Sequence, residues 1–263
     1  MNTRRFDGTV AVITGAGTGI GRELALGYAR EGARVAIAAR RVAPLEETAA
    51  AIEREGAECL VVRTDVTEER DCERLVAATL ERFGRLDVLL NNAGLPGTDQ
   101  PVSEMSLENW NRTIAVNLTG PMLLTREALR RAMIPAGSGN VQFFSSAAAK
   151  KVRARKAHYG IAKMGLITLA QTLALEVGGR GVRVNALVVG LVAGDLVDRW
   201  IERTAAEGGR TPAEIRSTLV AEIPLRRAVE AREVVELSLF LASDAASAIT
   251  GQAINVTNGA EMR

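Results

Sequence analysis

The chain carries 263 residues with 33 basic and 31 acidic side chains, and a net charge of +2 makes no electrostatic case for nucleic acid or a membrane surface as partner. Two cysteines, Cys59 and Cys72, are too few for a disulfide framework, and the one histidine, His158, leaves a zinc-dependent alcohol dehydrogenase site short of nitrogen ligands. No metal site is expected. Residues 1–7 lack a signal-peptide core and no apolar run reads as long enough to span a bilayer, which points to a cytoplasmic protein. Without a linker or low-complexity break, residues 1–263 read as one domain.

Residues 9–14 read as a buried strand on the apolar run Val10, Ala11, Val12 and Ile13. The turn Thr14-Gly15-Ala16-Gly17-Thr18-Gly19-Ile20-Gly21 follows, and Ile20, Leu24 and Tyr28 then recur at helical spacing. A strand, a glycine turn and a helix put backbone N–H groups and the positive helix end where a pyrophosphate can sit. The spacing of Gly15, Gly19 and Gly21 differs from the common G-x-G-x-x-G fingerprint, so the turn alone also suits a strand-to-helix junction that merely needs glycines.

The second strand, 34–39, ends at Arg40-Arg41. An NAD site usually places Asp or Glu here to accept from the ribose 2′-OH, whereas an NADP site places Arg against the 2′-phosphate. Ala38 and Ala39 offer no acid, and a guanidinium fork matches phosphate oxygens. Arg40, with Arg41 close behind, is therefore assigned to the 2′-phosphate, and NADP(H) is favoured over NAD(H). A solvated pair of loop arginines is the alternative.

Strands at 58–63 and 87–91 come next, the first leading to Asp65-Val66 and the second to Asn91-Asn92-Ala93-Gly94. A helix over 107–133 holds Asn117, and a strand over 140–145 leads to Ser146. Tyr159 and Lys163 stand at i and i+4 on a helix over 157–178 and share one face. Strands at 182–189 and 252–257 bring the total to seven. Strands alternating with helices predict an α/β, Rossmann-type, doubly wound parallel sheet with helices on both faces. Between the last two strands lie polar helices, with a capping-box start at Thr211-Pro212-Ala213-Glu214 and a glycine joint at Gly208-Gly209.

Thr14–Gly21, Asn91-Asn92-Ala93-Gly94, Asn117, Ser146 and Tyr159-x-x-x-Lys163 together resemble the short-chain dehydrogenase/reductase family in its roughly 250-residue form, over residues 7–259. The resemblance implies hydride transfer between a nicotinamide dinucleotide and a small carbonyl or alcohol substrate. It makes Tyr159 the general acid/base and Lys163 its activator, which also reaches the nicotinamide ribose. Ser146 polarises the substrate oxygen as charge develops there, and Asn117 anchors a proton-relay water. A free tyrosine titrates near 10, so phenolate chemistry near pH 7 needs a shift worth roughly 4 kcal/mol. An ammonium at about 4 Å, at an effective dielectric of about 20, supplies roughly that much. The resemblance further assigns cofactor contacts to Gly15, Thr18, Gly19, Ile20, Gly21, Asp65, Val66, Asn92, Ala93, Gly94 and Val192. Asp65 also reads as a helix-start aspartate, and 91–94 as an ordinary strand-ending turn. A substrate lid over 191–224, and homodimers or homotetramers paired through 107–133 and 157–178, are implied as well.

The chain departs from the family pattern in places. Val189 replaces the usual proline after the sixth strand, and Gly194 stands where a threonine hydroxyl would hold the nicotinamide carboxamide, a contact left to the Val192 backbone. Thr257-Asn258-Gly259 replaces an Asp-Gly-Gly. Five cations, Lys150, Lys151, Arg153, Arg155 and Lys156, crowd the segment between Ser146 and Tyr159. They either attract an anionic or acyl-thioester substrate or form a solvated run or a subunit contact with acidic partners. His158 either touches substrate or packs at the helix start. The expected activity is ketone–secondary alcohol interconversion on an anionic, acyl-thioester, sugar or polyol substrate. Enoyl reduction is disfavoured by the intact Ser146 and Tyr159, and a dinucleotide-binding sensor without catalysis is the alternative of another class.

Overall fold

Alternation of apolar side chains along each short strand decides which helices cover which face. The computed structural model describes residues 4–263, apart from the side chains of Leu196 and Glu207. In chain order the elements are β1 (Val10–Thr14), α1 (Gly19–Arg30), β2 (Arg34–Ala39), α2 (Val42–Arg54), β3 (Cys59–Arg63), α3 (Glu69–Phe83) and β4 (Val88–Asn91). Then come α4 (Leu107–Ile114), α5 (Gly120–Ala128), the short α6 (Ile134–Ala136), β5 (Gly139–Ser146), the single turn α7 (Ala147–Lys150), α8 (Ala157–Val177) and β6 (Val182–Val189). The chain finishes with α9 (Asp195–Gly208), α10 (Pro212–Ala221), α11 (Ala231–Ala242) and β7 (Ala253–Val256).

All seven strands run parallel in the order β3-β2-β1-β4-β5-β6-β7. Val10, Val12, Ala36, Leu89, Phe143 and Val184 face one core, closed by Leu75, Leu124 and Leu166 of α3, α5 and α8. Ala11, Ile13, Val35, Ile37, Leu90 and Phe144 face the other, closed by Leu24, Ile52 and Val235 of α1, α2 and α11. The strand order reverses on either side of β1, which opens a crevice at the carboxyl ends of β1 and β4, where doubly wound sheets take ligands. The ends of β1, β2, β3, β4 and β5 therefore carry Gly15, Arg40, Asp65, Asn92 and Ser146 to one edge of the sheet.

Two expectations need correction. The helix over 107–133 is not uniform: it widens into π-helical turns at Ala115–Thr119 and Leu129–Met133. Pro121 has no N–H, so the α-helical bond that would close on the Asn117 carbonyl cannot form. Single π turns of this kind recur at functional sites. Secondly, the stretch Ala157–Arg180 has the length and apolarity to cross a bilayer. Its apolarity serves other contacts: Leu166, Ile167 and Ala170 pack on the sheet, while Ile161, Met164 and Leu175 are exposed.

The helices after β6 pack mainly on each other, through Ile201, Ala205 and Ile215 with Val197 and Leu219. The expected capping box is present, with the Thr211 N–H donating to Glu214 Oε2 at 2.8 Å and the Glu214 N–H to Thr211 Oγ1 at 3.3 Å. Gly209 ends α9 in the left-handed conformation.

Candidate active site

The glycine turn shapes an anion cradle through what it leaves out. Thr18 caps α1 without a side-chain hydrogen bond, and no acid occupies the first turn, so the first N–H groups of α1 have no side-chain acceptor from the cap. Gly15 takes φ +68°. At Gly21 a Cβ would press into the Gly15 carbonyl and come 2.5 Å from Asn92 Nδ2. Gly21→Ala is expected to lower stability by about 1–3 kcal/mol, because backbone rather than a flexible side chain must give way. Urea midpoints of the two proteins check this, and an unchanged midpoint would mean the turn tolerates the methyl group.

Thr14, which sequence reasoning did not single out, joins this turn to the next. Its hydroxyl accepts from the Asn92 and Ala93 N–H groups at 3.1 and 3.0 Å and donates to the Leu90 carbonyl at 3.3 Å. The Asn92 amide donates to the Thr14 carbonyl at 2.9 Å. The 91–94 turn thus has a structural role in holding β4 against β1. Asp65 likewise serves its own turn, with Oδ1 accepting from the Thr67 N–H and hydroxyl at 3.1 and 2.8 Å, and Val66 packs under Gly120. Arg40 and Arg41 are exposed beyond β2, ahead of α2. Uncapped N–H groups and a glycine floor fit the pyrophosphate of a nicotinamide dinucleotide.

Ser146, at the end of β5, caps α7 by accepting from the Ala148 N–H at 3.2 Å. Tyr159 and Lys163 reach the same edge from the first turns of α8. Burial pushes the Tyr159 phenol up, while the Ser146 hydroxyl and the Arg153 charge draw it down. Lys163 is buried, and its Nζ donates to the Phe144 carbonyl at 2.8 Å while lying 5.7 Å from the centre of the Tyr159 ring. The sequence reading gave Lys163 the work of depressing the phenol at about 4 Å. In the structure the Phe144 carbonyl holds the ammonium, and the Ser146 hydroxyl and Arg153 charge also draw the phenol down. Burial lowers Lys163 to about 8.

Asn117 is fully buried, and both amide protons are committed, to the Leu95 carbonyl at 2.8 Å and the Thr113 carbonyl at 2.9 Å. Its Oδ1 accepts from the Leu95 N–H at 3.2 Å. Gly94 closes against it, since a Cβ there would lie 2.9 Å from Asn117 Oδ1 and 3.4 Å from Lys163 Nζ. After β6, the Ala193 N–H donates to the Val229 carbonyl and the Val229 N–H to the Leu191 carbonyl. In this parallel bridge Val192 turns its own N–H and C=O the other way. Gly194 takes φ +143°, a conformation that a threonine rarely adopts.

His158 packs at the helix start, buried against Gly97 and Thr113, and neither ring nitrogen has a partner among the described residues. Burial and the Lys156 charge lower its pKa, with Asp99 pulling weakly the other way. The unfolded chain takes up this proton as pH falls through about 6.5, while the folded chain resists until lower pH. The stability that His158 contributes is therefore whole above about pH 6.5 and declines below it. Melting temperature should fall between pH 7 and pH 5 in the native protein and fall less in His158→Gln; equal slopes would mean carboxylates carry the effect.

The family described as enoyl-(acyl carrier protein) reductase matches residues 15–261. A short-chain dehydrogenase/reductase of Aspergillus oryzae is 37% identical over 98% of this chain and 97% of its own length. The cis-4-hydroxycyclohexanecarboxylate dehydrogenase of Sinomonas cyclohexanicum is 37% identical over 97% of each chain. Among solved structures, NAD+-bound xylitol dehydrogenase superposes with a TM-score of 0.91 at 30% identity, over 97% of this chain and all of its own. An actinorhodin polyketide ketoreductase variant with NADPH superposes equally well, at 0.91 and 33% identity, over 96% and 97%. The chain belongs to the short-chain dehydrogenase/reductase family and is an oxidoreductase.

Proposed function

We propose that the protein interconverts a ketone and a secondary alcohol with NADP(H), and that Tyr159 is its acid/base. The observation that carries this reading is the convergence of the Tyr159 phenol, the Ser146 hydroxyl and the buried Lys163 amine at one edge of the sheet, beside the uncapped start of α1. The first turn of α1 holds the pyrophosphate, Arg40 with Arg41 holds the 2′-phosphate, and Gly94 and the Val192 backbone flank the nicotinamide. When bound, that nicotinamide supplies a hydride to the ketone carbon or accepts one from the carbinol.

Ser146 and Tyr159 hold the substrate oxygen between two hydroxyls. In the reducing direction the Tyr159 O–H passes its proton to that oxygen, and in the oxidising direction the phenolate takes it back. Lys163 keeps a positive charge nearby through neutral pH and orients the ribose. Asn117 acts through its backbone: its side chain is committed to Leu95 and Thr113, whereas Pro121 leaves its carbonyl without the usual helical donor. That carbonyl anchors the water that resupplies Tyr159. The pair α9–α10 closes over the substrate as a lid.

The substrate is a small molecule carrying a negative charge, supported by the cation-rich segment before Tyr159 and by the name of the relative that dehydrogenates a hydroxycyclohexanecarboxylate. A polyol is the second reading, supported by the likeness to xylitol dehydrogenase. A second copy of the chain is the proposed partner, docking on the apolar face that Leu118, Met122 and Leu169 form between α5 and α8. Absorbance at the reduced-nicotinamide band, with NADPH and NADH run separately against neutral ketones, oxo acids and a 3-oxoacyl thioester, tests the activity. Cofactor binding without turnover on any of these would favour a dinucleotide sensor.

A further inference from the structure

The five cations between Ser146 and Tyr159 have separate fates. Lys150 turns inward, its Nζ donating to the Ala253 carbonyl at 3.2 Å and to Asn255 Oδ1 at 2.9 Å. Lys151 pairs with Glu222, just past α10, at 3.2 Å. Arg155 adopts φ +66°, donates from Nη2 to the Asp99 carbonyl at 3.1 Å, and accepts from the Gln100 N–H at 3.0 Å. Lys156 pairs with Asp99 and donates to the Pro96 carbonyl at 3.5 Å. The segment is thereby stapled to β7 and the end of α10 on one side and to residues 96–100 on the other.

Arg153 stands between the staples. Its side chain is exposed and, alone of the five, has no partner among the described residues. It is not remote from the chemistry, because its charge reaches the Tyr159 phenol. Its backbone is held by the Lys156 N–H, which donates to the Arg153 carbonyl at 3.3 Å. A guanidinium on a pinned loop, beside the acid/base and without a counter-charge, suits a planar anion that it can grip with two parallel N–H bonds.

We infer that Arg153 is the substrate anchor: it binds a carboxylate carried by the same molecule as the reacting carbonyl or carbinol, while the other four cations shape the loop. The inference rests on the redox reading of the Tyr159 site and narrows its substrate to small hydroxy and oxo acids. Lys151 and Lys156 are already matched to Glu222 and Asp99, so Arg153 is left as the one guanidinium of the segment without a partner among the described residues. One guanidinium matches a monoanion better than the several charges of a phosphopantetheine carrier.

The test uses the full-length protein loaded with NADP+. Calorimetry would compare cyclohexanecarboxylate, which has no group to oxidise, with neutral cyclohexanemethanol, in the native protein and in Arg153→Ala, Arg153→Lys and Lys151→Ala. Loss of a bidentate charged contact should weaken the carboxylate by about 10- to 150-fold in Arg153→Ala. Arg153→Lys should recover part of this, and neither the alcohol nor Lys151→Ala should show the loss. With NADPH, Arg153→Ala should raise KM for 4-oxocyclohexanecarboxylate much more than KM for cyclohexanone, while any shift in the Tyr159 pH profile should affect both ketones alike. Carboxylate binding that is absent in the native protein, or that survives Arg153→Ala, overturns the anchor. So does an equal loss for acid and neutral ketone with a displaced pH profile, which would make Arg153 a tuner of Tyr159 alone. Hydride transfer without any acid preference removes the anchor and keeps the redox reading. Arg153-dependent carboxylate binding with no hydride transfer from NADPH to any ketone removes the redox reading and keeps the anchor.

Discussion

Tyr159→Phe is expected to lower kcat by about 10²–10⁴-fold, the range supplied by a positioned acid/base, while NADPH still binds. The phenyl ring fills the same space, so the change removes one hydroxyl and the proton it carries. Native Tyr159 is drawn upward by burial and downward by Ser146 and Arg153. The pH profile should therefore shift in Ser146→Ala, where the first of the two downward influences is lost, and the basic limb should move to higher pH. A Tyr159→Phe protein with near-native turnover would require another proton donor at the site. Binding of NADPH followed by fluorescence separates loss of chemistry from loss of fold.

Arg40→Ala should weaken NADPH by about 10- to 150-fold, because a charge-assisted contact to phosphate contributes about 1.5–3 kcal/mol. NADH should be little affected, since it carries no 2′-phosphate. Arg40 is exposed and precedes α2, so its removal costs little packing and the effect reads on cofactor choice. Arg40→Asp should go further and favour NADH, because a carboxylate repels the 2′-phosphate and accepts from a ribose hydroxyl. Kd values for the two cofactors, measured side by side, decide the matter. NADH preference in the native protein would sink the assignment outright.

The seven strands were legible to within a residue or so because an apolar run of four to eight residues bounded by glycine or charge has few other uses. The run Arg34–Ala39 and the run Val182–Val189 pair where the sequence placed them. Tyr159 and Lys163 were legible as a pair because four residues on a helix make one face. The interruption at Ala115–Thr119 was less visible, although Pro121 was its signal, since helical apolar spacing continues through it. The length of the α8 region misled in the other direction: its apolar residues serve two different surfaces, which composition alone does not separate.

Residue types and short spacings were sufficient for the strand count, the glycine cradle, the arginines after β2 and the order of Ser146, Tyr159 and Lys163. These depend on neighbours within a few positions, where the backbone geometry is local. Which charges cancel and which stay free depends on segments brought together across the fold. Lys151 meets Glu222 across 71 positions and Lys150 meets Asn255 across 105. A row of five cations in the sequence becomes four loop staples and one free guanidinium because Coulomb and hydrogen-bond energies fall away within a few ångströms, and only folding brings the partners to that range.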